Sequence, residues 1–159
     1  MATIFTIGYG NRSIDDFINL LNHYGVNLVV DARSTPFSRF QANFRKKALQ
    51  EHLEMAGISY LYLGDALGGK HVDPDCLVGG QVDLERVWAK DSFRAALGQV
   101  AQAVQAGQVP ALMCAELRPG QCHRAWMLAP PLEANGFTVL HIDEAGGLKT
   151  TGEALGWFR

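Results

Sequence analysis

The stretch TIFTIGYGNRSIDDFINLLNHYGVNLVVDAR, residues 3–33, changes its apolar spacing twice. Residues 3–7 form a short β-rich apolar run that ends at Gly8-Tyr9-Gly10. Beyond it, Ile14, Phe17, Ile18 and Leu21 recur at the i, i+3, i+4, i+7 spacing that lines one face of a helix. Ser13 stands where a hydroxyl caps the first turn, Asp15 and Asp16 lie at its favourable positive end, and Gly25 stops it. Residues 26–30 are then a nearly unbroken apolar run closed by Asp31-Ala32-Arg33. This is one strand, helix, strand unit.

The pattern repeats along the chain. A second helix over residues 46–56 stops at Gly57, a third strand covers 58–63, and a Gly-rich connection spans 64–80. A helical segment begins near Asp83, and its later part puts Phe93, Ala96, Leu97, Val100 and Val104 on one face before Gly107. Residues 109–114 read as a fourth strand, 121–134 as a helix that Pro130-Pro131 must break or restart, and 137–142 as a fifth strand. Strands alternating with helices imply right-handed crossovers and parallel pairing. The expected architecture is therefore a single α/β domain: three layers, α/β/α, around a mainly parallel sheet of about five strands. The 64–80 connection is long for such a unit, and long connections tend to be functional or mobile.

The 159 residues are 48% hydrophobic and 19% charged, with a net charge of -2, which describes an ordinary globular chain. That balance excludes a basic nucleic-acid footprint over the whole surface but allows a local one. No window approaches the roughly 20 apolar residues of a membrane span, and the leading Met1-Ala2-Thr3-Ile4-Phe5 lacks a signal peptide's basic head. A cytoplasmic location without membrane contact is expected. Cys76, Cys114 and Cys122 are odd in number and form no CxxC pair, which suits free thiols better than a disulfide framework.

In an open α/β sheet, ligands bind beyond the carboxyl ends of the strands, where helix N-termini point unsatisfied N–H groups outward. Those ends carry Tyr9, Asn11, Arg12 and Ser13; Asp31, Arg33, Ser34 and Arg39; Gly68 and Gly69; and Cys114, Glu116, Cys122, His123 and Arg124. Glu116 and His123 can move protons. Cys122, opening a helix beside His123 and Arg124, is a candidate nucleophile. Arg12, Arg33, Arg39 and Arg124 suit bidentate recognition of phosphate or carboxylate.

Several alternatives fail on spacing. Neither Cys114 nor Cys122 starts a Cys-x5-Arg anion loop, because Gly120 and Leu128 stand six residues on. Gly8-Tyr9-Gly10 is a lone GxG, with Ser13 where a dinucleotide fingerprint needs its third glycine. Gly68-Gly69-Lys70 lacks the spacing of a P-loop. Cys114, Glu116, Cys122 and His123 do not follow a regular zinc spacing, so no metal or cofactor is expected.

Taken together, Thr6 to Ser13, Asp31-Ala32-Arg33-Ser34-Thr35-Pro36 with Ser38-Arg39, Leu67-Gly68-Gly69, and Cys114-Ala115-Glu116 with Cys122-His123-Arg124 resemble the domain of unknown function 488 family, in the same motif order. The resemblance implies an α/β domain with a polar pocket and carries no established activity. Its motif residues coincide with the strand ends picked out by topology. The sequence thus points to a hydrolase or transferase acting on an anionic, phosphate-bearing or nucleotide-like substrate. Two alternatives stand beside it: a non-catalytic nucleotide- or nucleic-acid-binding module, and a thiol-dependent redox or sulfur-transfer protein.

Overall fold

A computed structural model describes residues 2–69 and 73–156, and its elements follow the apolar pattern closely. β1 (Thr3–Gly8) leads into α1 (Ile14–His23), whose Ser13 hydroxyl accepts the Asp16 N–H at 3.1 Å. β2 (Leu28–Asp31), α2 (Lys46–Met55) and β3 (Ser59–Tyr62) complete the first half. The long connection is not structureless. It contains α3 (Gly64–Leu67), a 3-10 turn (Pro74–Cys76) and a hairpin of β4 (Leu77–Val78) with β5 (Gln81–Val82). Lys70 lies outside the described residues.

The helical segment after Asp83 divides at Lys90 into α4 (Leu84–Ala89) and α5 (Asp91–Gln105). β6 (Pro110–Cys114) follows, then a 3-10 turn (Pro119–Gln121), a π-helical stretch (Arg124–Leu128), α6 (Ala129–Ala134) and β7 (Thr138–Ile142). Pro130 and Pro131 sit in the first turn of α6, where a missing N–H costs least, so the helix restarts there as their chemistry requires. The short β8 (Leu148–Lys149) and α7 (Thr151–Ala154) close the described chain.

One six-stranded sheet runs in the order β3-β2-β6-β1-β7-β8. The first five strands pair in parallel, and β8 folds back antiparallel on β7. Both faces are covered. Successive residues point to opposite sides, so Phe5, Ile7, Val29, Ala111 and Met113 meet Phe17 and Leu21 of α1 and Leu49 and Leu53 of α2. Ile4, Leu28, Val30, Leu112 and Val139 meet Phe93, Leu97 and Val100 of α5 and Leu132 of α6. Among the described residues, no helix is long and apolar enough to cross a membrane.

The topology places a crevice. β2 and β6 are neighbours, but the connection from β2 runs outward to β3 while the one from β6 passes β1 to reach β7. Chains leaving adjacent strands in opposite directions part above the strand ends, which is where such sheets bind ligands.

Candidate functional site

A cleft of about 420 Å³ opens at that crevice. Arg33, Ser34, Thr35 and Phe37 line it from the β2 side, and Cys114, Ala115, Glu116, Gln121, Cys122, His123 and Trp126 from the β6 side. Gly69, after α3, closes it.

Backbone pairing sets the floor. Tyr9 N–H donates to the Cys114 carbonyl at 3.2 Å and Gly10 N–H to that of Ala115 at 2.9 Å, which extends the β1–β6 ladder past the strand ends. Gly8 is required here, because a Cβ on it would collide with the Glu116 carbonyl. The turn at Pro119–Gln121 then carries the chain back, and Cys122 returns over the end of β6. Its sulfur meets that of Cys114, with the Cα atoms 7.4 Å apart. Three free thiols were expected; among the described residues only Cys76 is unpaired, and it is buried elsewhere.

His123 connects the pair to β2. Its Nε2 lies 3.2 Å from the Ala32 carbonyl oxygen, and its Nδ1 lies 3.5 Å from Cys122 Sγ. A carbonyl can only accept, so Nε2 carries the hydrogen and a neutral ring turns the Nδ1 lone pair toward Cys122 Sγ, where it can take the thiol proton once the pair is reduced. Burial lowers the His123 pKa, the carbonyls of Ala32 and Leu67 oppose that, and Arg124 lowers it further, which favours this neutral, proton-accepting form. The ring is held from the other side by Gly69, whose added Cβ would stand 2.8 Å from His123 Cγ. Gly69→Ala therefore pushes the imidazole off Cys122. Alkylation of Cys122 by iodoacetamide at neutral pH is expected to slow by about ten- to a hundredfold, with the thermal midpoint little changed.

The arginines occupy different places from those expected. Of Arg12, Arg33, Arg39 and Arg124, only Arg33 lines the cleft. Its guanidinium is already engaged: Nε and Nη2 reach Asp31 at 2.9 and 2.8 Å, and Nη1 donates to the Phe44 carbonyl at 2.6 Å. Burial alone would lower the Arg33 pKa, but the hydrogen-bonded Asp31 carboxylate overcomes it and raises it. Asp31 also accepts the Tyr60 hydroxyl at 2.6 Å, so both of its carboxylate oxygens are engaged within the protein. Tyr9 is buried, stacked on Phe44 and overlain by Arg33.

Arg12 donates to the Gly8 and Asp143 carbonyls and lines a separate depression beside α1, where Asn11 and Ser13 are exposed. Arg39 is exposed on the rim over Phe40. Arg124 is fully buried; Nη2 donates to the Leu117 carbonyl at 2.9 Å, while Nε and Nη1 have no partner among the described residues. Burial, then the like charge of Arg12, pushes its pKa down. Gly68 packs against Ser34 behind the cleft. Glu116 is exposed at the mouth and accepts the Arg118 N–H at 3.4 Å.

Thr35, Phe37, Gln121 and Trp126 join the lining without having been singled out as site residues. Trp126 lies in the π-helical stretch that follows Cys122, which is itself extended, so no helical spacing links the two. Among the described residues no group of three or more His, Cys, Asp or Glu side chains is disposed to hold a metal ion.

Behind Arg124 lies a buried polar chain that the sequence did not announce. His141 Nδ1 pairs with the Thr6 hydroxyl at 2.6 Å and Nε2 with that of Thr151 at 2.9 Å. Burial, aided by Arg124, lowers the His141 pKa from 6.5 to about 3. The unfolded chain binds this proton first as acid is added, so the stability held above pH 6.5 is lost as pH falls toward 3. Replacing His141 by Gln should flatten stability against pH in that window by up to ~1.4 kcal/mol per pH unit, read by urea unfolding at successive pH values.

The profile of the family described as "Domain of unknown function DUF488" matches residues 13–129. No curated protein and no solved structure matches the chain. The match takes in both walls of the cleft, and the chain belongs to this family.

Proposed function

We propose that this member of the Domain of unknown function DUF488 family is a thiol–disulfide oxidoreductase with Cys122 as its attacking thiol, His123 as the base and Cys114 as the resolving thiol. One observation carries the reading: two sulfurs meet on the floor of a cleft, with an imidazole nitrogen 3.5 Å from one of them. Among the three functions read from the sequence, this geometry favours the thiol-dependent one. The phosphate-directed hydrolase loses its main support, because among the described residues no unengaged guanidinium lines the cleft.

The cycle balances. Cys122 passes its proton to His123 Nδ1, and the thiolate attacks one sulfur of a substrate disulfide R–S–S–R′. The bond from Cys122 to R–S forms as the S–S bond breaks, and R′–S⁻ leaves with the proton from His123. Cys114 then attacks Cys122 Sγ, so that R–S⁻ departs with the Cys114 proton and a Cys114–Cys122 bond remains. Two electrons have passed from the protein to the substrate. A thiol reductant of the glutathione class returns the pair to the dithiol, and the cytoplasm supplies such a pool.

The test uses an aromatic disulfide whose released thiol is coloured. A cooperating pair releases two equivalents of aryl thiol per chain and leaves the protein lighter by two hydrogens, with no adduct. One equivalent per cysteine with a retained aryl adduct would refute the pairing. The stoichiometry is read by absorbance and intact mass.

A further inference from the structure

We propose that residues 33–47 bind single-stranded nucleic acid across the mouth of the cleft. In those fifteen residues stand five of the chain's 14 Lys and Arg and three Phe, while all 16 carboxylates of Asp and Glu lie elsewhere. The overall charge of -2 conceals this segregation.

Arg33 and Phe44 are buried, and the segment presents its other two rings and four cations together. Phe37 is 53% exposed and Phe40 89% exposed, although large rings ordinarily gain from burial. The Arg45 guanidinium lies 4.5 Å from the Phe37 ring centre, and that of Arg39 lies 5.4 Å from the Phe40 ring centre. Among the described residues, Arg39, Arg45, Lys46 and Lys47 have no ion-pair partner. Arg45, Lys46 and Lys47 also gather at the start of α2 without an acidic residue in its first turn, the reverse of what the helix dipole favours. Such a concentration of uncompensated positive charge calls for an external polyanion.

The exposed rings choose which one. A single strand offers unstacked bases to rings and phosphates to cations at alternating positions, which is the composition found here. A duplex keeps its bases stacked on each other, and an acidic peptide supplies charge with no planar face for Phe40. Phe37 and Arg33 line the cleft as well, so a bound strand lies at its entrance. The inference does not depend on the thiol chemistry.

Fluorescence anisotropy with labelled oligothymidylate and oligouridylate tests it, titrated from about 50 to 200 mM salt. Saturable binding is expected, with log K falling against log salt at a slope of about -3 if four phosphates are neutralised. Phe40→Ala should weaken binding by about 5- to 150-fold. The same variant should keep the circular dichroism spectrum and the aryl disulfide turnover of the parent. Arg39→Ala with Lys47→Ala should reduce the steepness of the slope by about 1.4. Preference for either oligonucleotide identifies RNA or DNA as the source. Absence of saturable binding to both, indifference to Phe40→Ala, or equal competition by duplex or by polyglutamate would each overturn the proposal. Loss of turnover in Cys122→Ser with oligonucleotide binding intact would separate this surface from the thiol site.

Discussion

Cys122→Ser is expected to lower turnover of a small disulfide by about 10³-fold or more, because Cys122 carries the sulfur that faces His123 Nδ1. Cys114→Ser should behave differently. The first attack needs only Cys122 and His123, so one equivalent of aryl thiol still appears, and the variant then stalls as a mixed disulfide on Cys122. Cys76 cannot substitute, since it is buried in the other core layer among Val87 and Phe93. Burial also raises its thiol pKa, which disfavours its thiolate. His123→Asn should cost about 10²- to 10⁴-fold, the range for a lost general base. If Cys114→Ser and Cys122→Ser instead lose activity equally and neither traps an adduct, the two sulfurs do not divide the labour in this way.

Asp31→Ala should be the most damaging change outside the cysteines. The carboxylate is fully buried, it holds Arg33 by two hydrogen bonds, and it accepts the Tyr60 hydroxyl. Its removal leaves a buried guanidinium without its counter-charge and a half-buried hydroxyl without its acceptor, at a cost of about 3–5 kcal/mol. For a chain of this size that corresponds to a fall in thermal midpoint of roughly 6–20 °C. Adding Arg33→Met should recover part of the loss, since an apolar pair can replace a buried ion pair. A loss below ~1 kcal/mol would mean that water reaches the pair in solution.

The layers of the fold were legible because apolar spacing reports them directly. The run over residues 26–30 and the face formed by Ile14, Phe17, Ile18 and Leu21 each have a single buried solution, and the sheet follows from their alternation. Two-residue strands are too short to show a period, so the β4–β5 hairpin and the antiparallel β8 left no trace. The division at Lys90 carries neither glycine nor proline and was equally silent.

The site was legible as a location more than as chemistry. Strand ends and topology found the cleft, but the task of each arginine is set by its partner. Arg33 is claimed by Asp31 two residues away, whereas Arg12 reaches a carbonyl at Asp143 that no local pattern predicts. The meeting of Cys114 with Cys122 depends on the Pro119–Gln121 turn and the π-helical stretch that follows. Spacing alone could not show that this path brings the second sulfur back over the first.

A redox titration with mass mapping distinguishes one reversible pair of Cys114 and Cys122 from two independent thiols. The protein is equilibrated across a series of dithiol buffers, alkylated and digested. A single two-electron transition is expected, in which Cys114 and Cys122 become protected together as one linked peptide while Cys76 stays a thiol throughout. Independent alkylation of Cys114 and Cys122 at every buffer ratio, with no linked peptide, would contradict it.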